Sequence, residues 1–199
     1  MAVFREISLD KWQWSPSPLP GQVVLVTSRD EDGASDVAPK SWVTIVGMTV
    51  PRIGFGCTFE HQTARNIRAT GEFAISIPDE SLAQAVWGMQ DATDRSDRLA
   101  AAGLTTTPGV TVGVPLVTEC YAHIECRLDR IVEFEAQEVF IVGVIQRVAV
   151  DERALVLGEV FDRYAAARPF FFLEDGWLAS LGPARPVLTS ASGREGSAP

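Results

Sequence analysis

Apolar positions along this chain cluster into short runs separated by turn residues. Val23-Val-Leu-Val-Thr-Ser28 is a compact β-branched run, which predicts a buried strand. It stops at Arg29-Asp-Glu-Asp-Gly33, where the Asp-Gly pair supplies the positive φ of a hairpin turn. A second strand is expected over Ser41–Met48 and a glycine-rich third over Arg52–Cys57, with Pro51 breaking the two apart. From Gln62 to Thr70 helix formers mix with polar residues, and Gly71 provides the stop. Glu72–Ile77 returns to the strand pattern and ends at Pro78. Leu82, Ala85, Val86 and Met89 share a helical face, so a second helix is expected from Ser81 to Met89. A polar loop, Asp91–Asp97, leads into a short helical piece, Arg98–Ala102. Two long strands follow. His123–Ile131 alternates apolar and polar positions, whereas Phe140–Val150 is almost continuously apolar. Phe161-Asp-Arg-Tyr164 then leads to the aromatic segment Pro169-Phe-Phe-Phe-Leu173.

Many short strands, few helices and no βαβ rhythm predict a mainly β protein, a barrel with inserted helices. Residues 1–20 hold Trp12, Trp14, Pro16, Pro18 and Pro20, a composition suited to an arm lying over a surface. Residues 21–185 form the expected domain. The Ser-, Gly-, Pro- and Ala-rich residues 186–199 are expected to be a disordered tail.

With 199 residues, 46% of them hydrophobic, the chain has the material for one sizeable domain. Its net charge of −9 comes from 26 acidic and 17 basic residues spread evenly along the sequence. No basic stripe exists to follow a phosphate backbone or an anionic membrane surface, so neither nucleic acid nor membrane is an expected partner. Lys11 and Lys40 are the only lysines. Three cysteines, Cys57, Cys120 and Cys126, are too few for a disulfide framework. The first residues lack the pattern of a signal peptide, and no apolar run reaches the roughly 18 residues of a membrane span. A cytoplasmic, reduced location is expected.

Several chemistries lack their signatures. There is no phosphate-binding Gly-x-x-x-x-Gly-Lys loop, and Gly54-Phe-Gly56 lacks the third glycine of a dinucleotide fingerprint. A Gly-x-Ser-x-Gly elbow is also missing. The histidines are His61 and His123, and the cysteine spacing fits no common zinc module, so no metal is expected. Cys120 and Cys126 read as small core residues on one strand face, with His123 on the opposite face at a surface or interface. So few nucleophiles and bases place the chemistry in a cofactor.

Two stretches could hold one. In Asp36-Val-Ala-Pro-Lys-Ser-Trp-Val-Thr44, Pro39 stiffens the chain, and the amides of Lys40, Ser41 and Trp42 could face a ligand. The alternative is a turn capped by Asp36 with Trp42 in the core. In Cys57-Thr-Phe-Glu-His-Gln-Thr-Ala-Arg-Asn66, a strand end leads into a helix whose free amides suit a phosphate. Thr58 and Thr63 could add hydroxyl donors and Arg65 a charged one. The alternative is that Thr63 caps its own helix.

Taken in order, Val23–Ser28, Asp36–Trp42, Thr63-Ala-Arg-Asn-Ile67 and Thr70-Gly-Glu-Phe-Ala-Ile75 resemble the flavin reductase-like, FMN-binding split-barrel family, in its flavoredoxin-like branch. Ser96–Thr105, Ile124-Glu-Cys126 and Gly143–Val148 continue the resemblance, which runs from about residue 20 to residue 182. It implies a six-stranded split β-barrel that forms a homodimer with FMN near the subunit interface. By position, Ala38, Pro39, Lys40, Ser41 and Trp42 would line the ribityl chain and ring, beside Asp36 and Val37. Thr58, Gln62 and Thr63 would surround the phosphate, with His61, Cys57 and Asn66 close by. The chain departs from the family at Asp36, where many relatives carry Asn, and at Gln62, where many carry Asp. The implied activity is hydride transfer from NADH or NADPH to FMN, with the reduced flavin passed to an acceptor, which could be a protein. The flavin carries the chemistry, so no side chain is assigned a catalytic role. The alternatives are an FMN-binding electron carrier, a non-catalytic binder of another planar ligand, and a dimeric barrel with an empty groove.

Overall fold

The long apolar runs pair into one antiparallel sheet. The computed structural model describes residues 4–14, 17–89, 98–156 and 166–181. In chain order the elements are β1 (Gly21–Gln22), β2 (Val24–Arg29), β3 (Ser35–Lys40), β4 (Val43–Gly47), β5 (Arg52–Thr58), α1 (Gln62–Thr70) and β6 (Glu72–Ile77). They continue with α2 (Ala83–Gly88), α3 (Arg98–Ala101), β7 (Thr106–Pro108), β8 (Pro115–Val117), β9 (Ala122–Glu133) and β10 (Glu138–Val150). The last are α4 (Glu152–Val156), β11 (Phe170–Phe172) and β12 (Leu178–Ser180).

Seven strands pair in the order β3-β2-β6-β9-β10-β5-β4. The six expected strands are present, and β3, which was not expected, adds a seventh at one edge. Its two edge strands, β3 and β4, are neighbours in sequence, joined by Ser41 and Trp42 alone. Three Cα steps from Lys40 to Val43 span at most about 11 Å. The far edges of the sheet therefore meet, and the sheet rolls into a barrel. Among the described residues no ladder joins β3 to β4, so the barrel is split at that seam.

Alternate residues of the strands fill the interior: Val24 and Val26 of β2, Phe55 of β5, Phe73 and Ile75 of β6, Cys126 of β9 and Ile141 of β10. Ala64 and Ile67 of α1 plug this core from one end. Phe55 and Phe73 meet edge to face at 5.6 Å. Phe73 needs Gly143 on β10, because a Cβ there would overlap the ring. Outside the barrel, Val86 and Met89 pack with Leu25, Val37, Leu104, Val117 and Phe170 in a second cluster. There β1, β11 and β12 form a separate three-stranded sheet.

A buried carboxylate ties the loop before β8 to the barrel. Glu125 Oε2 accepts from the amides of Val110 (2.9 Å), Thr111 (2.6 Å) and Val112 (3.2 Å) and from the Thr111 hydroxyl (2.9 Å). Its Oε1 accepts from Arg147 Nη1 at 2.7 Å. Burial pushes this carboxyl's pKa up. The Thr111 amide, the Arg147 guanidinium, the Thr111 hydroxyl and the Val110 amide outweigh burial and hold it down at about 2.

Local signals placed several elements at their observed bounds. α1 spans Gln62–Thr70 and ends at Gly71 with φ 73°, and the β2–β3 turn holds Gly33 at φ 90°. Other expectations need correction. Asp36–Lys40 is not a loop but strand β3, paired along its length with β2. Pro39 is tolerated there because β3 is an edge strand. The helix expected from Ser81 opens instead with a 3₁₀ turn, Glu80–Leu82, which the Asp79 side chain caps through the Ser81 amide. Cys120 lies before β9, so it shares no strand with Cys126, although both are buried. Burial raises the Cys126 thiol to about 12 and raises Cys120 as well, as inert core thiols require. His123 is half-buried, not a surface histidine, with Nδ1 3.0 Å from Ser76 Oγ; burial lowers its pKa. The short strands β1, β7, β8 and β12 carry no alternation long enough to read. The expectations for Pro16, Asp91–Asp97, Phe161–Tyr164 and residues 186–199 lie outside the described residues.

Candidate functional site

At the seam of the barrel, β3 delivers the Ser41–Trp42 link, β5 ends, and α1 begins. A cleft of about 890 Å³ opens there, in the size range of small-molecule and cofactor sites. Its polar end is built from Asp36, Lys40 and Ser41, from Thr58 at the end of β5, and from His61, Gln62 and Thr63 around the start of α1. Ala38, Pro39, Trp42 and Cys57 line the same space.

Two expected residues lie elsewhere. Successive strand residues point to opposite faces, so Val37 turns away from Asp36 and Ala38 into the second core cluster. Asn66, one turn into α1, is 2% exposed. Its amide donates to Ser28 Oγ (3.2 Å), and its Oδ1 accepts from Gln62 Nε2 (2.6 Å). Asn66 therefore positions Gln62 from beneath the site.

The Thr63 hydroxyl donates to Asp36 Oδ2 at 2.8 Å. Its single proton is thus engaged, and the hydroxyl is not a free donor for an anion. The other oxygen, Asp36 Oδ1, is buried and has no hydrogen-bond partner. Thr63 does not cap its own helix: the N-cap is His61, whose side chain makes no capping bond. The first-turn amides of α1 consequently face the site without a side-chain acceptor.

Nor does Asp36 cap a turn over a buried tryptophan, since it lies within β3 and Trp42 is 51% exposed. Lys40 Nζ stands 3.1 Å from His61 Nδ1. Cys57 Sγ lies 3.8 Å from the same nitrogen. Thr58 Oγ1 accepts from the Glu60 amide at 3.3 Å. Arg65, a candidate anion donor by sequence, instead staples the loop, donating to the carbonyls of Phe59 and Glu60 and to Gln62 Oε1.

Lys11, from the N-terminal arm, reaches the cleft. Its ammonium sits 4.6 Å from the Trp42 ring centroid and 2.7 Å from Glu174 Oε1. Aromatic residues line the same cleft. Trp87 of α2 packs on Phe172 of β11 at 5.6 Å, and Trp177 is also in the lining. Sequence reading found the Pro169–Leu173 aromatic run but not its place here, and it missed Lys11, Trp87 and Arg98. No local pattern marks them, because arm, α2 and β11 meet only across the fold. Among the described residues no group of three or more His, Cys, Asp or Glu is placed to hold a metal ion. No described helix is long and apolar enough to cross a membrane.

Chemically, an anion fits the polar end, a donor fits Asp36 Oδ1, and Trp42, 51% exposed, offers apolar surface beside them. The family described as "Flavin reductase like domain" matches residues 17–167. An uncharacterized protein of Halalkalibacterium halodurans is 28% identical over 120 residues, 57% of this chain and 57% of that protein. The chain thus spans little more than half the length of that relative. Nitrilotriacetate monooxygenase component B from Bacillus cereus superposes with a TM-score of 0.82 at 24% identity, covering 94% of this chain and 100% of that one. The flavoredoxin of Desulfovibrio vulgaris gives 0.75 at 24% identity, covering 94% and 99%. A protein with a split barrel domain from Shewanella frigidimarina gives 0.78 at 18% identity, covering 88% and 89%, and these likenesses establish the fold, a split β-barrel. The family pattern runs through most of the sequence, and the chain belongs to the flavin reductase-like family.

Proposed function

We propose that the chain is a cytoplasmic flavoprotein oxidoreductase that binds FMN in this cleft. In this reading it takes hydride from NADH or NADPH and passes the reduced flavin to an acceptor. The observation that carries the reading is the convergence of an orphaned acceptor, Asp36 Oδ1, with uncapped helix amides and the Lys40–His61 pair beside an exposed tryptophan face. The donor set fits the group. Lys40, His61 and the α1 amides suit a phosphate; Asp36 Oδ1 takes an O–H or N–H; Trp42 offers a plane for a ring. FMN supplies the hydride-accepting chemistry when bound. Lys40 would offset the phosphate charge against the overall negative field, Trp42 would exclude water, and Asp36 would orient the ligand through one hydrogen bond. The family membership and the name of the Desulfovibrio relative support flavin as the ligand.

A visible titration tests this reading. The chain should take up FMN with a band near 450 nm, and NADH or NADPH should bleach it without a partner. A chain that takes up no FMN overturns the proposal. Uptake without bleaching by either nicotinamide would favour the electron-carrier alternative. The same reading includes a homodimer. Ile45, Val46, Met48 and Val50 on the β4–β5 hairpin are exposed apolar side chains that a second copy would cover. Sedimentation should give twice the chain mass, and a monomer would overturn that part.

A further inference from the structure

The cleft holds a second orphaned atom, of the opposite kind to Asp36 Oδ1. Arg98, at the start of α3, lines the cleft, and its Nε is buried with no hydrogen-bond partner. Among the described residues no carboxylate pairs with its guanidinium. A buried donor without an acceptor is a standing cost to the fold, which a bound acceptor removes. The next residue, Leu99, packs against the cluster that contains Val86 and Met89, with Phe172 on the same cluster. Arg98 therefore lines the cleft beside the cluster that carries Val86, Met89 and the partly buried Phe172.

We infer that this part of the cleft is a binding site for a planar aromatic carboxylate, its ring between Trp87 and Trp177 and its carboxylate on Arg98. The planar guanidinium offers parallel N–H donors that match a carboxylate. Trp87, Phe172 and Trp177 line the cleft with aromatic surface, which favours a ring over an aliphatic chain. A single negative charge suits the site, because the other nearby cation, Lys11, is already paired with Glu174. The inference goes beyond the flavin reading, which concerns the polar end, and it stands or falls separately.

Calorimetry on the full chain, with 2-naphthoate and the neutral 2-naphthamide as probes, tests it. Naphthoate should bind at least tenfold more tightly than naphthamide. Arg98→Gln should abolish that preference while leaving FMN affinity unchanged, and Trp87→Ala should weaken both probes together. Equal binding of the two probes to the parent chain overturns the inference, whatever the variants do. So does a preference that survives Arg98→Gln, or one that disappears in Lys40→Gln, which would place the carboxylate at the polar end. FMN uptake, measured in parallel, separates a failure of this inference from a failure of the flavin reading.

Discussion

Asp36 and Thr63 come from elements far apart in sequence, and the bond between them sets the chemistry of the polar end. Thr63 is 1% exposed and Asp36 5% exposed, so each depends on the other for its polar partner. Thr63→Val removes the hydroxyl and leaves both Asp36 oxygens buried without an acceptor's counterpart. The expected loss is about 1–3 kcal/mol of stability, read from a denaturant titration. An unchanged midpoint would show that Asp36 finds another donor. The sequence marked Thr63 and Asp36 as candidates but not how they pair, and both line the cleft. Residue type gives hydrogen-bonding capacity; which partner uses it depends on a neighbour 27 positions away. Lys40 is a different case: its rarity marked it, and the fold places it at the cleft.

At the scale of elements, helix α1 was legible to its ends because its stop signal is local: Gly71 takes the left-handed conformation that closes a helix. Strand β3 was not. Asp36, Pro39 and Lys40 have poor strand propensity, and only pairing with β2 overrides it. The glycines of the long strands have a similar tertiary reason. Gly143 sits at a register shift in β10, against the ring of Phe73 from β6. Gly143→Ala overpacks that contact and should cost about 1–3 kcal/mol. Thermal melting checks it, and a melting temperature equal to the parent's would mean that the Phe73 ring moves freely aside.

For the whole molecule, Glu125 links a loop and two long strands in one buried charge network, and this gives the fold a pH dependence. Its folded pKa, about 2, lies below the ordinary value near 4.3. The stabilisation is therefore fully present above the ordinary value and is lost as pH falls through the folded one. Stability should decline from about pH 5 toward pH 2, and Glu125→Gln should flatten that part of the profile at the price of lower stability at neutral pH. Unfolding midpoints measured across this range check the sign; a parent profile as flat as the variant's would remove Glu125 from the account. The sequence by itself determined a mainly β chain, the positions of its long strands and first helix, and two stretches suited to a ligand, because periodicity, turn residues and helix stops act locally. Only the tertiary structure decided that the sheet's edges meet at Ser41–Trp42, that Thr63 serves Asp36, and that aromatic residues and Arg98 line the same cleft as the polar ones. Those outcomes depend on barrel closure, which brings together residues whose own neighbourhoods carry no record of one another.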